Sequence, residues 1–142
     1  MTLKLDWFGF AEGAANDTRG VMTLVGFAPQ FLQYKAFPAT ANLALVLLVD
    51  DDEDPEPTLT EGRNFTLGIT IKAPDGTVIL AHQPSLAVGG KRFPNIPGRL
   101  NLVLQIPITF SKPGEYAASI RLQVAESEGV LEAGRPIFIL EE

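Results

Sequence analysis

Residues 100–124 read LNLVLQIPITFSKPGEYAASIRLQV, and the periodicity of this stretch decides the fold class. Leu100, Leu102, Leu104, Ile106, Ile108 and Phe110 alternate with Asn101, Val103, Gln105, Pro107 and Thr109. Tyr116, Ala118, Ile120, Leu122 and Val124 then alternate with Ala117, Ser119, Arg121 and Gln123. Successive side chains of a strand point to opposite faces, so this pattern predicts two strands, each burying one face. Pro113-Gly114 between them has turn chemistry: proline presets φ at the second turn position and glycine accepts positive φ at the third. The stretch reads as a strand pair of a β-sandwich.

Working outward, residues 3–11 are a first strand candidate. Leu3, Leu5 and Trp7 share one phase, whereas Phe8 and Phe10 occupy the other. The change of phase predicts a bulge near Gly9 or a segment covered on both faces, with Trp7 in the core. After a turn at Asp17-Thr18-Arg19-Gly20, residues 21–27 (VMTLVGF) are expected to pair antiparallel with the first strand. Residues 28–41, boxed by Pro29 and Pro38, read as an irregular connection crossing between sheets. Residues 42–49 are apolar in both phases, as in a central strand covered on both sides.

In residues 63–73, Phe65, Leu67, Ile69, Ile71 and Ala73 alternate with Asn64, Thr66, Gly68, Thr70 and Lys72. Pro74-Asp75-Gly76 closes that strand as a hairpin turn with glycine in the left-handed position, and residues 77–83 return. Residues 84–98 form a second long connection. Pro107 cannot donate to a ladder, which marks an edge or a bulge. A last strand lies within residues 130–140.

About eight strands with turn chemistry between them, and no amphipathic helix, predict an all-β domain. Its simplest form is an antiparallel two-sheet β-sandwich of immunoglobulin-like, Greek-key type, a single domain over residues 1–142. Parallel α/β folds are excluded for want of crossover helices. The chain is long enough to bury a core, and 46% hydrophobic against 20% charged residues argues against disorder. A net charge of −6 without clustered Lys and Arg predicts no nucleic-acid partner. The longest apolar run, residues 43–49, is far short of a membrane span, so no membrane partner is expected. The absence of cysteine excludes disulfides, thiolate metal sites and thiol catalysis. Asp6 stands where a signal peptide needs an apolar run, so a soluble, cytoplasmic chain is expected.

Gly114-Glu115-Tyr116, just ahead of an alternating strand, resembles the tyrosine corner of immunoglobulin-like domains. The resemblance implies that the Tyr116 hydroxyl bonds back to upstream backbone and pins a corner between the sheets. Lys112 stands where that family usually has Asp, and Ala118 where antibody domains have Cys. Ala11-Glu12, Leu24-Val25-Gly26, Phe37-Pro38, an apolar strand and Pro74-Asp75-Gly76, in that order, are similar to a family of uncharacterised bacterial proteins. That resemblance implies a small β-sandwich domain and no activity.

The sharpest chemical feature is the run of residues 50–57, DDDEDPEP. No strand or helix favours that composition, so it reads as an exposed loop. Asp50, Asp52 and Asp54, with Glu56 and with Glu61 eleven residues after Asp50, echo the ligand spacing of a calcium hand. Pro55 stands where that loop requires glycine, and no helices flank it, so a calcium hand is not expected. A looser site for Ca²⁺ or Mg²⁺ is the one cofactor reading these hard oxygen ligands allow; otherwise the carboxylates form a solvated charge run. Lys91, Arg92 and Arg99 surround the apolar segment that begins at Phe93, and this loop is the candidate for clamping an anionic ligand or protein partner. Its docking on a neighbour's acidic loop would make a homodimer.

His82 is the single histidine and reads as a strand-end residue rather than a metal ligand or general base. Ser85, Ser111, Ser119 and Ser127 lack a nucleophile-elbow setting. Gly89-Gly90-Lys91 lacks the strand–loop–helix setting of a phosphate cradle. The chain is therefore expected not to be an enzyme. It reads as a non-catalytic binding or interaction module using its long loops. The alternatives are a structural subunit of a larger assembly and a weak divalent-cation-binding domain.

Overall fold

The alternation in residues 100–124 becomes two strands that lie in different sheets. The computed structural model describes residues 3–16, 22–27, 31–50, 59, 62–87, 99–125 and 130–142. Through them run β1 (Lys4–Asn16), β2 (Met22–Phe27), β3 (Phe31–Tyr34), β4 (Ala39–Asp50) and β5 (Asn64–Lys72). These are followed by β6 (Val78–His82), β7 (Ser85–Ala87), β8 (Arg99–Phe110), β9 (Gly114–Val124) and β10 (Val130–Glu141). No helix occurs among the described residues. One sheet has the order β2-β1-β4-β8, and the other β3-β10-β9-β5-β6, with β7 also pairing β5. The two sheets pack face to face as a β-sandwich.

The in-phase residues of both sheets meet in one core. Leu43, Leu45, Leu47 and Val49 of β4 face Phe65, Leu67, Ile69 and Ile71 of β5, together with the buried phases of β8, β9 and β10. β4 lies between β1 and β8 with both of its faces covered, as its apolar sequence requires.

β8 and β9 do not pair with each other. The chain passes from one sheet to the other through residues 111–113, and this is a corner rather than a hairpin. Tyr116, fully buried, donates its hydroxyl to the Lys112 carbonyl at 2.7 Å and packs edge-on against Phe110, ring centroids 5.0 Å apart. Gly114 has φ +145°, and a Cβ there would stand 2.5 Å from Pro74 Cγ. The 74–76 turn is therefore seated on the corner, where Asp75 also pairs with Lys112 at 3.5 Å.

The change of phase in the first strand is a true bulge, placed at Asp6 rather than Gly9. Leu5 faces Val49 and Trp7 faces Leu48 across the β1–β4 ladder, so Asp6 is the extra residue. Phe8 and Phe10 thereby enter the core, while Trp7 turns to the outer face and is only half-buried. Beyond Ala11, β1 leaves β4 and pairs with β2 alone. Ala14 and Leu24 then pack on the fully buried Ala11, Ala44 and Val46 of a second, smaller cluster.

Two more expectations need correction. Residues 28–41 are not wholly irregular: β3 lies inside them and pairs in parallel with β10, the one parallel ladder among the described residues of a sandwich read as purely antiparallel. Residues 84–98 contain β7, which raises the strand total above the expected eight. Both strands are too short to show a period, and β3 (FLQY) does not alternate. Pro107 does mark an edge, since β8 ends its sheet among the described residues. Pro136 is tolerated in β10 because β3 covers that flank only from Phe138 onward.

Candidate functional site

The two long connections singled out in the sequence are rooted side by side. β4 ends at Asp50, directly across the ladder from Arg99 at the start of β8. In the opposite sheet, β5 begins at Asn64, directly across from Ala87 at the end of β7. The connection from β4 to β5 and the connection from β7 to β8 therefore both cross between the sheets at the same end of the sandwich. Lys4 stands across from Asp50 on the other side, so Asp50 is flanked in register by Lys4 of β1 and Arg99 of β8.

The scaffold at this end is well braced. Leu59 is 2% exposed and belongs to the main core, an apolar anchor within the acidic connection. Gly62 adopts φ +80° with open space around its Cα, a turn conformation suited to glycine. The Arg63 guanidinium then donates twice to the Ala125 carbonyl, at 3.1 and 2.9 Å. The Ala125 amide donates to the Asn64 carbonyl at 2.8 Å. Sequence reasoning missed both anchors. Leu59 was visible as a lone apolar residue in a polar run, but Arg63 had no signal beyond its charge.

Of the residues read as cation ligands, only Asp50 lies in the described part, and it belongs to the sheet, 7% exposed, rather than to the loop. Asp52, Asp54, Glu56 and Glu61 lie outside the described residues, as do Lys91, Arg92 and Phe93. Arg99 is placed by its ladder position opposite Asp50. Among the described residues, no three His, Asp or Glu side chains come together to hold a metal ion. His82 is exposed at the last position of β6, across from Ile69.

The outer face of the six-stranded sheet carries a shallow groove of about 780 Å³, hollowed where Gly68, Thr70, Ala81, Ser119 and Gly134 offer little side chain. Its one carboxylate, Glu132, is paired with Arg121 at 3.1 Å. At the β3–β10 edge of the same sheet, Phe31 stands across from Phe138. These two rings and Leu140 are 48%, 42% and 43% exposed, a cluster of apolar groups left in water.

No protein-family model matches this chain, and no curated protein matches it. Solved structures do. The chain is similar to the C-terminal domain of wzt, at TM-score 0.54 and 12% identity over 96% of this chain and 72% of that one. It is also similar to a CARDB domain of a Pyrococcus furiosus protein in complex with di-metal ions, at TM-score 0.47 and 14% identity over 80% and 87%. A Bacteroides uniformis beta-glucuronidase matches at TM-score 0.45 and 20% identity, over 78% of this chain but only 12% of the enzyme. At 12% identity the likeness to the C-terminal domain of wzt is one of fold alone.

Proposed function

We propose that the domain is a non-catalytic interaction module that engages a protein partner through the connections at the Asp50–Arg99 end. The observation that carries this reading is the paired rooting of the two connections, Asp50 against Arg99 in one sheet and Asn64 against Ala87 in the other. One connection is rich in carboxylates, and the other brings Lys91, Arg92 and Arg99. Charges of both signs on neighbouring loops suit electrostatic selection of a partner, and loops on a rigid sandwich are a common place for recognition.

The test is affinity capture from the native host with wild-type chain, with the double variant Lys91→Glu/Arg92→Glu, and with Asp52→Asn/Asp54→Asn. A partner whose affinity falls about tenfold or more, or about 1.4 kcal/mol, in either variant supports the reading. A partner bound equally by all three chains overturns it.

A second reading, a structural subunit of a larger assembly, is favoured by exposed Phe31, Phe138 and Leu140 at the β3–β10 edge. Apolar groups clustered in this way are typical of contact surfaces. Light scattering that shows a concentration-dependent mass, abolished by Phe138→Lys, would select this reading. A constant monomer mass would remove it.

A further inference from the structure

The outer faces of the two sheets differ. On the first sheet the chain covers itself: Ala11, Ala44 and Val46 are fully buried beneath Ala14 and Leu24, and Gln105 Nε2 donates to the Ala14 carbonyl at 3.5 Å. On the second sheet the phase opposite to the core stays in water. Six large apolar side chains are exposed among the described residues, and five of them, Phe31, Val78, Val130, Phe138 and Leu140, belong to this one face.

The ladder registers assemble these side chains into one surface. Phe31, Phe138 and Glu115 stand in a row across β3, β10 and β9. Two rows further along, Gly134, Ser119, Thr70 and Ala81 cross β10, β9, β5 and β6 and form the low middle of the face, where the groove of about 780 Å³ lies. Val130 stands beyond that middle and Val78 at its flank, so the large apolar groups make a raised rim. Among the described residues the charges of the face balance. Arg121 and Glu132 pair at 3.1 Å, and Lys35 and Glu142 pair at 3.8 Å just past Leu140. Lys72 and Glu115 complete three charges of each sign, in a chain whose net charge is −6.

We propose that this face is the interface of a homodimer, with the same face of a second copy packed against it. The homodimer is a specific form of the assembly reading above and rests on it, because Phe31, Phe138 and Leu140 belong to the face. The area suits a stable pair. Five strands at about 4.8 Å, and about nine residues at about 3.4 Å, span roughly 24 by 31 Å, on the order of 700 Å². A standard interface takes about 800 Å² from each partner. The charges suit a second copy in particular. Two chains of net charge −6 repel each other through their acidic surfaces, whereas a face with as many cations as carboxylates adds nothing to that repulsion. A two-fold axis makes the contact isologous, so that the apolar rim of each copy meets the low middle of the other. The facing sheets then lie about 10 Å apart, as the two sheets within a sandwich do.

The test is sedimentation equilibrium of the whole chain from micromolar to near-millimolar concentration, for wild type and for Thr70→Arg, Ser119→Arg, Phe138→Lys and Asn101→Arg, each checked for its fold by circular dichroism. Thr70 and Ser119 are neighbours across the β5–β9 ladder in the middle of the face, where a long cationic side chain would hold two copies apart. Asn101 is exposed on β8 of the first sheet and serves as the control. Each arginine lowers the magnitude of the net charge, so a loss of association cannot come from added repulsion between whole chains. The expected result is a monomer–dimer equilibrium for wild type and Asn101→Arg, with a dissociation constant raised about tenfold or more by Thr70→Arg and by Ser119→Arg. A constant monomer mass for wild type overturns the homodimer and the assembly reading together. A concentration-dependent mass that Phe138→Lys abolishes, but Thr70→Arg and Ser119→Arg leave unchanged, overturns this homodimer alone and keeps assembly at the β3–β10 edge. Equal weakening by Asn101→Arg overturns it as well.

Discussion

The Tyr116 hydroxyl, 2.7 Å from the Lys112 carbonyl, carries a small but measurable share of stability. Tyr116→Phe keeps the buried ring and its contact with Phe110 and removes this bond together with the longer one that the hydroxyl accepts from the Lys112 amide at 3.4 Å, so denaturant unfolding should show a loss of about 1 kcal/mol. Asp75 bears on acid behaviour instead. The Thr77 backbone amide, 2.9 Å from its carboxylate, holds its pKa below the ordinary value, with the Thr77 side chain and Lys112 adding to the effect. A depressed carboxylate contributes stability above its unfolded pKa and loses it as pH falls through the lowered folded value. Asp75→Asn should therefore lower stability slightly at neutral pH and flatten the acid limb of a stability-against-pH curve, so that variant and wild type converge below the lowered folded value. For Tyr34 the direction reverses. Burial and the negative charge of Glu12 raise its pKa, so its contribution is complete below the ordinary phenol range and fades as pH climbs through the raised value. Ultraviolet titration of Glu12→Gln should show a Tyr34 transition at lower pH than in wild type, because one of the two causes has been removed.

At the scale of the element, β10 reaches across to β1 through a single side chain. Arg135 donates from Nη1 to the Phe8 carbonyl and lies over the Trp7 ring, 5.5 Å from its centroid. This is where β1 has β4 on one flank and, among the described residues, no strand on the other, since β2 pairs only from Ala11 onward. A Cβ on Gly9 would collide with both the guanidinium and the indole. Arg135→Ala should cost about 1.5–3 kcal/mol, the range for a hydrogen bond that involves a charged group. It should also shift the emission of Trp7, the only tryptophan, to longer wavelength as the ring is uncovered. None of this was legible in sequence: a lone arginine in a strand of alternating character reads as solvated. What was legible followed from local rules. Alternation located β5, β8 and β9, glycine and proline located their turns, and the change of phase located a bulge within a few residues. The exact register of that bulge depends on β4, about 40 residues away, and β3 depends on β10 at the far end of the chain. The candidate site divides in the same way. Composition identified the two charged connections, but only the ladders show that their roots are neighbours.

For the whole molecule, the last strand is an interior part of its sheet. β10 lies between β3 and β9 and places Ile137 and Ile139 in the core. A chain cut before Val130 would leave β3 without a ladder and β9 without one of its two neighbours. Since total stability is about 5–15 kcal/mol for a typical domain, the truncated chain should show no cooperative thermal transition by circular dichroism. The opposite sheet ends in β8, twelve residues long and without a further neighbour among the described residues. A bare strand of this length is a template onto which another chain can add. Within it, Pro107 is the one position whose backbone has no N–H to give. A crystallising sheet would have to skip that rung. Pro107→Val restores it and suits the strand in every local respect, so the variant should fold while its solutions gain fibrillar, thioflavin-positive material with time. This proline contributes little to how one molecule folds; its effect is on how many molecules can stay apart.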